Sequence, residues 1–416
     1  MGTIPGRPAH SPSARQRDRN EGKLMFVKSL FKVMADTQAS DLFFTAGAPV
    51  QIKIKGDVVP VDTNVLDAAA MKRIAYEAMT EEQIAQFEKD MEINFSLVEH
   101  GVGSFRVNIF RQRGACAMVI RHIKHNVPSI EELQLPLVLK ELVMEKRGLI
   151  LVVGSTGSGK SSTLSAMINY RNQTTSGHIL TIEDPIEFMY KHGKSIVNQR
   201  EVGIDTRSYH NALVNAMREA PDVILIGECR DRETFSAALQ YAQTGHLCLS
   251  TVHANNSYYA LNRVINLFPH DARASLQMDL AVSLKAVISQ RLIHDVNGEI
   301  VPAVELMLNT KHIQELIKTG AIDQIKDAME QSLAPGSQTF EQALFRLYTA
   351  GRVSLEEAMA NADSPTNLHW LINNAAKPAA SPARPAGSGA PQAPVAQRAP
   401  AQQDLSSIKL NLDAIG

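Results

Sequence analysis

The sequence predicts an α/β protein, and three observations carry that expectation. Apolar stretches of strand length recur at residues 149–153, 179–182, 223–226 and 247–252 with helical stretches between them, the alternation of a mostly parallel sheet. The first stretch runs directly into Gly154-Ser155-Thr156-Gly157-Ser158-Gly159-Lys160-Ser161, the G-x-x-x-x-G-K-[ST] pattern of a phosphate-binding loop. Ahead of both, residues 23–130 combine short strands with helices in an α+β arrangement of their own.

Bulk properties narrow the class. A chain of 416 residues has room for two or three domains. Its 42 basic and 43 acidic residues leave no global excess to attract nucleic acid, so no direct nucleic-acid role is expected. Cys116, Cys229 and Cys248 are far apart and form no C-x-x-C pair, which disfavours a disulfide framework or a tetra-cysteine zinc site and suits a reducing cytosol. No run approaches the ~18 apolar residues of a membrane span, and the polar, Arg-rich start lacks the apolar core of a secretory signal.

The elements follow in order. Residues 1–22, rich in Pro, Ser, Gly, Arg and Asn, read as disordered. A helix is expected over 24–33, then strands over 41–45, 50–54 and 58–61, with turns at Gly47-Ala48-Pro49 and Gly56-Asp57. Two helices fill 67–89, and 92–98, 104–111 and 115–122 form a meander. A linker and helix over 133–146 lead into the P-loop strand. After Asn256 the chain reads as mainly helical to residue 374, apart from a hairpin over 292–304 with its turn at Asp295-Val296-Asn297-Gly298. Pro, Ala, Gly, Ser and Gln dominate 377–403, the composition of a flexible linker. Beyond it Leu405, Ile408, Leu412 and Ile415 have helical spacing, either a docking peptide or a plain disordered end.

The P-loop pattern has a physical reason in each part. Its glycines permit positive φ and close approach, so consecutive N–H groups can point at anionic oxygens, and the helix that follows offers its own unpaired N–H groups. Gly154, Ser155, Thr156, Gly157, Ser158, Gly159, Lys160, Ser161 and Ser162 are therefore the nucleotide-binding set. Lys160 reaches the terminal phosphates, and the Ser161 hydroxyl suits Mg²⁺. Hydrolysis also needs carboxylates near the γ-phosphate, for water and for metal. Two acidic segments qualify: Thr181-Ile182-Glu183-Asp184-Pro185-Ile186-Glu187, and the apolar strand from Asp222 that delivers Gly227-Glu228. Both acids would emerge at the carboxyl edge of the sheet, where α/β ligands bind. His246 and His253 flank another core strand. With no Cys or third His at suitable spacing they read as nucleotide-sensing or subunit-coupling residues rather than as a zinc pair.

The P-loop, the acidic box, the Gly227-Glu228 strand and the two-histidine box occur in the order and spacing of the secretion-superfamily ATPases. Within them the chain resembles the PilT/PilU-type ATPases of type IV pilus retraction. The resemblance runs from about Leu24 to Asn374 and includes Ala39-Ser40-Asp41-Leu42, Gly56-Asp57 and Gly227-Glu228-Cys229-Arg230-Asp231-Arg232-Glu233-Thr234. It implies a PAS-like domain over 23–130 and a RecA-like ATPase domain over 131–375, followed by a disordered tail over 376–416. It further implies a homo-hexameric ring with ATP and Mg²⁺ at each site. Glu183 would polarise the attacking water, and Glu228 would support Mg²⁺ or that water, with the choice of base left open. His246 and His253 would couple the γ-phosphate to neighbouring elements. Arg106, Arg113 and Arg121 would supply charge across a subunit boundary, the alternative being solvated strand arginines.

Departures from the PilT pattern point to the accessory PilU-like branch. Where that pattern has an Arg-containing helix, this chain has Lys311-His312-Ile313-Gln314-Glu315-Leu316-Ile317-Lys318, which keeps the apolar spacing and loses the arginines. Ala220-Pro221 replaces an Asp-Pro pair, and the Pro-rich extension is extra. The function so implied is a hexameric ATPase assisting pilus retraction at the cytoplasmic face of the inner membrane. Its partners would be a related retraction ATPase and a membrane platform protein, with membrane contact only through them. The alternatives are a primary retraction ATPase of the PilT type, a regulatory ring of slight turnover, and a secretion or DNA-uptake ATPase.

Overall fold

A computed structural model describes residues 25–54, 56–123 and 126–375. The segments expected to be disordered, 1–22 and 376–416, lie outside these. The described residues up to Ile372 belong to one compact unit; the chain from Asn373 onward is a second, of which residues 373–375 are described.

The first part opens with helix α1 (Met25–Thr37) and the antiparallel strands β1 (Asp41–Thr45), β2 (Gln51–Ile54) and β3 (Asp57–Pro60). Helices α2 (Ala68–Glu77) and α3 (Glu81–Asp90) follow, then β4 (Glu92–Glu99), β5 (Gly103–Gln112) and β6 (Ala115–Ile123). These strands form one antiparallel sheet in the order β3-β2-β1-β6-β5-β4. Apolar residues at helical spacing on α1 (Val27, Phe31, Met34) and α2 (Met71, Ile74) bury one face of that sheet against Phe105, Val107 and Ile109 of β5. The Phe31 and Phe105 rings stack at 3.9 Å. Because strand residues alternate sides, Arg106 of β5 is only part-buried and belongs to the other face.

The second part begins with α4 (Val138–Val143) and the P-loop strand β7 (Gly148–Val153). Next come α5 (Lys160–Thr174), β8 (Gly177–Glu183), β9 (Ser195–Glu201), α6 (Tyr209–Ala216) and β10 (Val223–Ile226). They are followed by α7 (Arg232–Gln243), β11 (Leu247–Val252), α8 (Ser257–Asn266), α9 (Arg273–Ser283), β12 (Leu284–His294) and β13 (Ile300–Leu308). The sheet order is β13-β12-β7-β11-β10-β8-β9, parallel throughout except for β13. Helices α10 (Lys311–Thr319), α11 (Ile325–Glu330), α12 (Phe340–Thr349), α13 (Leu355–Ala360) and α14 (Pro365–Ala375) follow among the described residues. Strand β7 is buried along its whole length. Leu149, Leu151 and Val153 pack towards α7–α10, and Ile150 and Val152 towards α4 and α5. A strand covered on both faces has no polar side, which explains its unbroken apolar run.

Two expectations are corrected. Residues 284–291, read as helical, form most of β12, a central strand parallel to β7. Helix α9 passes into it at Ser283–Leu284 with no Gly or Pro to mark the change. The expected hairpin is thereby lengthened, while its turn stands as read: Asp295 Oδ1 accepts the Asn297 and Glu299 N–H groups at 2.8 Å each, and Gly298 has φ +79°. Strand β9 was not expected at all. It is one of the sheet's two edge strands, and with exposed residues between its buried ones it carries no apolar run. Among the described residues no helix is long and apolar enough to cross a membrane.

Candidate active site

Parallel pairing is what assembles the site. Strands β7, β11, β10 and β8 are neighbours running in one direction, so the segments at their carboxyl ends share one edge. Those segments line a cleft of about 560 Å³ that includes Lys160, Ser161, Glu183, Glu187, Glu228 and His253.

The loop after β7 is shaped by steric need as much as by flexibility. A Cβ at Gly154 would lie 2.2 Å from Ser158 Oγ and 2.7 Å from the Gln290 carbonyl, so no side chain fits there. Gly159 has φ +86° and is the N-cap of α5, with no side-chain hydrogen bond capping the helix. In contrast, α6, α7 and α8 are capped by Ser208, Asp231 and Asn256. The first N–H groups of α5 are therefore left for an anion. Thr156, Gly157, Gly159, Lys160, Ser161 and Ser162 line the cleft. Gly154 and Ser158 support it from behind, and Ser155 faces an adjoining hollow with His253. The Lys160 ammonium donates to the carbonyls of Gly154 at 2.9 Å and Ser155 at 2.7 Å. Burial lowers its pKa, and the Glu228 and Glu187 carboxylates oppose that shift.

The two glutamates stand in different surroundings. Glu183, 9% exposed, accepts hydrogen bonds from Thr181 Oγ1 at 2.6 Å and Gln199 Nε2 at 3.4 Å. Burial raises its carboxyl to a pKa of about 7; those two donors oppose the rise, while Glu187 and Glu201 add to it. Glu228 instead meets the Arg230 guanidinium, Nη2 at 2.7 Å, and the His253 ring, Nε2 at 3.2 Å. Thr251 Oγ1 donates to the Gly227 carbonyl at 2.6 Å and fixes the turn that presents Glu228.

Other expected residues are placed elsewhere. His246 precedes β11 at the opposite edge of the sheet, within 3.2 Å of Thr244 Oγ1 and edge-on to Tyr241. Seven steps along the strand put it ~23 Å from His253, so the two histidines cannot meet one phosphate. Arg106 faces Glu201 of its own chain at 3.6 Å. Arg121 is its cross-strand neighbour and donates from Nε to Asp41 Oδ1 at 2.8 Å. Arg113 is exposed in the β5–β6 turn with φ +50°, ~23 Å along the strand from Arg106. The three arginines thus do not form one cluster. Tyr209, Arg230 and Thr251 also line the cleft. Arg230 lies inside a segment quoted for the resemblance, whereas Tyr209 stands in no motif.

A P-loop at the end of a parallel strand, faced by glutamates from two neighbouring strands, defines an ATP-hydrolysing P-loop protein. Residues 17–301 match the family described as Type II/IV secretion system protein. The chain is 46% identical to the type IV pilus ATPase PilU of Pseudomonas aeruginosa, over 84% of this chain and 91% of that one. It is 41% identical to the type IV pilus retraction ATPase PilT of the same organism, over 83% of this chain and 100% of that one. The crystal structure of the pilus retraction motor PilT with bound ADP is similar at a TM-score of 0.77 and 40% identity, covering 83% of this chain and 98% of that chain. The chain belongs to the type II/IV secretion system protein family and, within it, to the PilT/PilU-type pilus retraction ATPases.

Proposed function

We propose that this chain is a hexameric motor whose ATP hydrolysis assists type IV pilus retraction, in the manner of the PilU branch. The convergence of Glu183 and Glu228 on the P-loop cleft is the observation that carries the reading. The N–H groups at the start of α5 and the Lys160 ammonium hold the phosphates. No three His, Cys, Asp or Glu side chains among the described residues converge as a metal cage. The Ser161 hydroxyl and Glu228 carboxylate in the cleft fit Mg²⁺, which takes one or two protein oxygens beside those of phosphate. Bound there, Mg²⁺ supplies charge neutralisation at the phosphates. Glu183, raised by burial to a pKa of about 7, orients and deprotonates the attacking water. Glu228 links the cleft through Arg230 to the start of α7 and through His253 to the segment between β11 and α8.

In this reading residues 23–130 act as a PAS-like domain and residues 131–375 as a RecA-like ATPase domain. Arg113, exposed in its turn, and Arg121, whose side chain stays 63% exposed beside Asp41, supply charge to a neighbouring subunit's nucleotide, whereas the Arg106 side chain is 22% exposed and faces Glu201. The ring works at the cytoplasmic face of the inner membrane on a platform protein, beside a related retraction ATPase. Pilus retraction measured in cells with and without that related ATPase tests the reading. Retraction should strengthen when this protein is added to cells that hold the related ATPase and should be weak without it. Equal retraction with and without this protein would contradict the proposal.

A further inference from the structure

Glu201 is a buried acid to which the site gives no role. It ends β9, is 2% exposed, and stands opposite Glu183 in the parallel β8–β9 register. Its backbone is fixed: the N–H donates to Asp205 Oδ2 at 2.8 Å, and the carbonyl accepts from Ile204, Asp205 and Thr206. Its two carboxylate oxygens serve different parts of the molecule. Oε2 accepts the Ile186 N–H at 3.2 Å, in the loop that carries Asp184 and Glu187 into the cleft. Oε1 faces Arg106 Nη1 of the first sheet at 3.6 Å, and neither atom has a hydrogen-bond partner among the described residues.

We propose that Glu201 is a positioning residue for hydrolysis that ties the first sheet, through Arg106, to the acidic loop of the cleft. An ion pair at this separation lacks the charge-assisted hydrogen bonds that would lock it. It is a longer joint than the Arg121–Asp41 contact at 2.8 Å. When it opens, a buried carboxylate loses its compensating charge, and that carboxylate holds the Ile186 loop and lies beside Glu183. Movement of the first sheet is thereby felt at the reacting end of the cleft. Burial raises the Glu201 pKa, while the Ile186 amide and Arg106 hold it down. The charged and titratable groups around Glu183 and Glu201 are Asp184 and Glu187 of the acidic loop, Asp205 after β9, Arg106 of β5, Tyr190, and Tyr209 of α6.

The test is a double-mutant cycle on the full chain, with ATP turnover and ADP affinity read for wild type, Arg106→Met, Glu201→Gln and the double variant. Each single substitution should lower kcat about 10- to 100-fold while ADP affinity stays within about twofold. The double variant should lose no more than the worse single one, because the pair acts as a unit. Losses that multiply, or ADP affinity that falls in step with kcat, would overturn the proposal. Glu201→Gln should also move the acid limb of the kcat–pH profile to lower pH, because a neutral amide no longer opposes ionisation of Glu183. An unmoved limb would count against it. This arm alone rests on Glu183 as the base: a wild-type profile with no acid limb would sink that reading and leave the cycle to decide. If Glu201→Gln fails to fold, Arg106→Lys decides. A lysine keeps the charge across a gap that has no hydrogen bond, so it should retain about half of kcat where Met does not. Equal loss in both would overturn the joint.

Discussion

Glu183 and Glu228 differ in their partners more than in their position. Burial raises the Glu183 carboxyl to a pKa of about 7 against only the neutral donors of Thr181 and Gln199, whereas Glu228 is held between Arg230 and His253. A base with a pKa of about 7 must lose its proton before it can act. Turnover should therefore rise with pH through about 7, and Glu183→Gln should remove that limb and lower kcat with ATP affinity nearly unchanged. A Glu183→Gln variant of wild-type turnover would remove the role. The same shift has a stability sign. The folded carboxyl binds its proton up to about 7, against an ordinary value of 4.5, so its contribution to stability is present at low pH and lost as pH rises through that window. Thermal melts at pH 8 should show Glu183→Gln to be more stable than wild type. The P-loop, Glu183 and Glu228 were legible because each lies in a contiguous motif after an apolar strand. Gln199 and Glu201 were not, since both belong to a strand whose exposed residues hid it. His246 and His253 share a motif, but strand length carries them to opposite edges.

At the scale of elements, buried strands and capped helices were readable, and the helix-to-strand change at Ser283–Leu284 was not. Leu284 to Leu292 carries apolar residues compatible with either period, and only its pairing with β7 and β13 decides between them. Helix α10 shows what its sequence retained and what it changed. Ile313, Leu316 and Ile317 are buried in the core beneath β7, and Lys311, Glu315 and Lys318 lie outside it. The helix thus keeps its packing while its outer face carries different charges from the PilT pattern. Ile317→Ala should lower unfolding free energy by about 2–5 kcal/mol, as expected for emptying a fully buried site. Lys318→Ala should change stability by less than about 0.5 kcal/mol, because its contact with Glu315 is exposed. Denaturant unfolding checks both, and similar losses would mean that α10 is not anchored by its apolar face.

For the whole molecule, the resemblance to retraction ATPases fits a fold in which two sheets belong to one compact unit. The Arg106–Glu201 contact was invisible in the sequence because the partners are 95 positions apart and lie on different sheets. If neighbouring subunits complete each other's sites, inactive Arg113/Arg121-substituted subunits mixed with Lys160-substituted subunits should recover part of the turnover, since some boundaries then combine two intact halves. Mixed rings without recovery would argue against completion across the boundary. The central claim is that the cleft at the end of β7 hydrolyses ATP and that Lys160 supplies charge where the transition state needs it. Its most direct measurement is ATP turnover by purified, folded Lys160→Ala protein. Turnover should fall by about 10²-fold or more with the thermal melt retained; turnover at the wild-type rate would contradict the assignment.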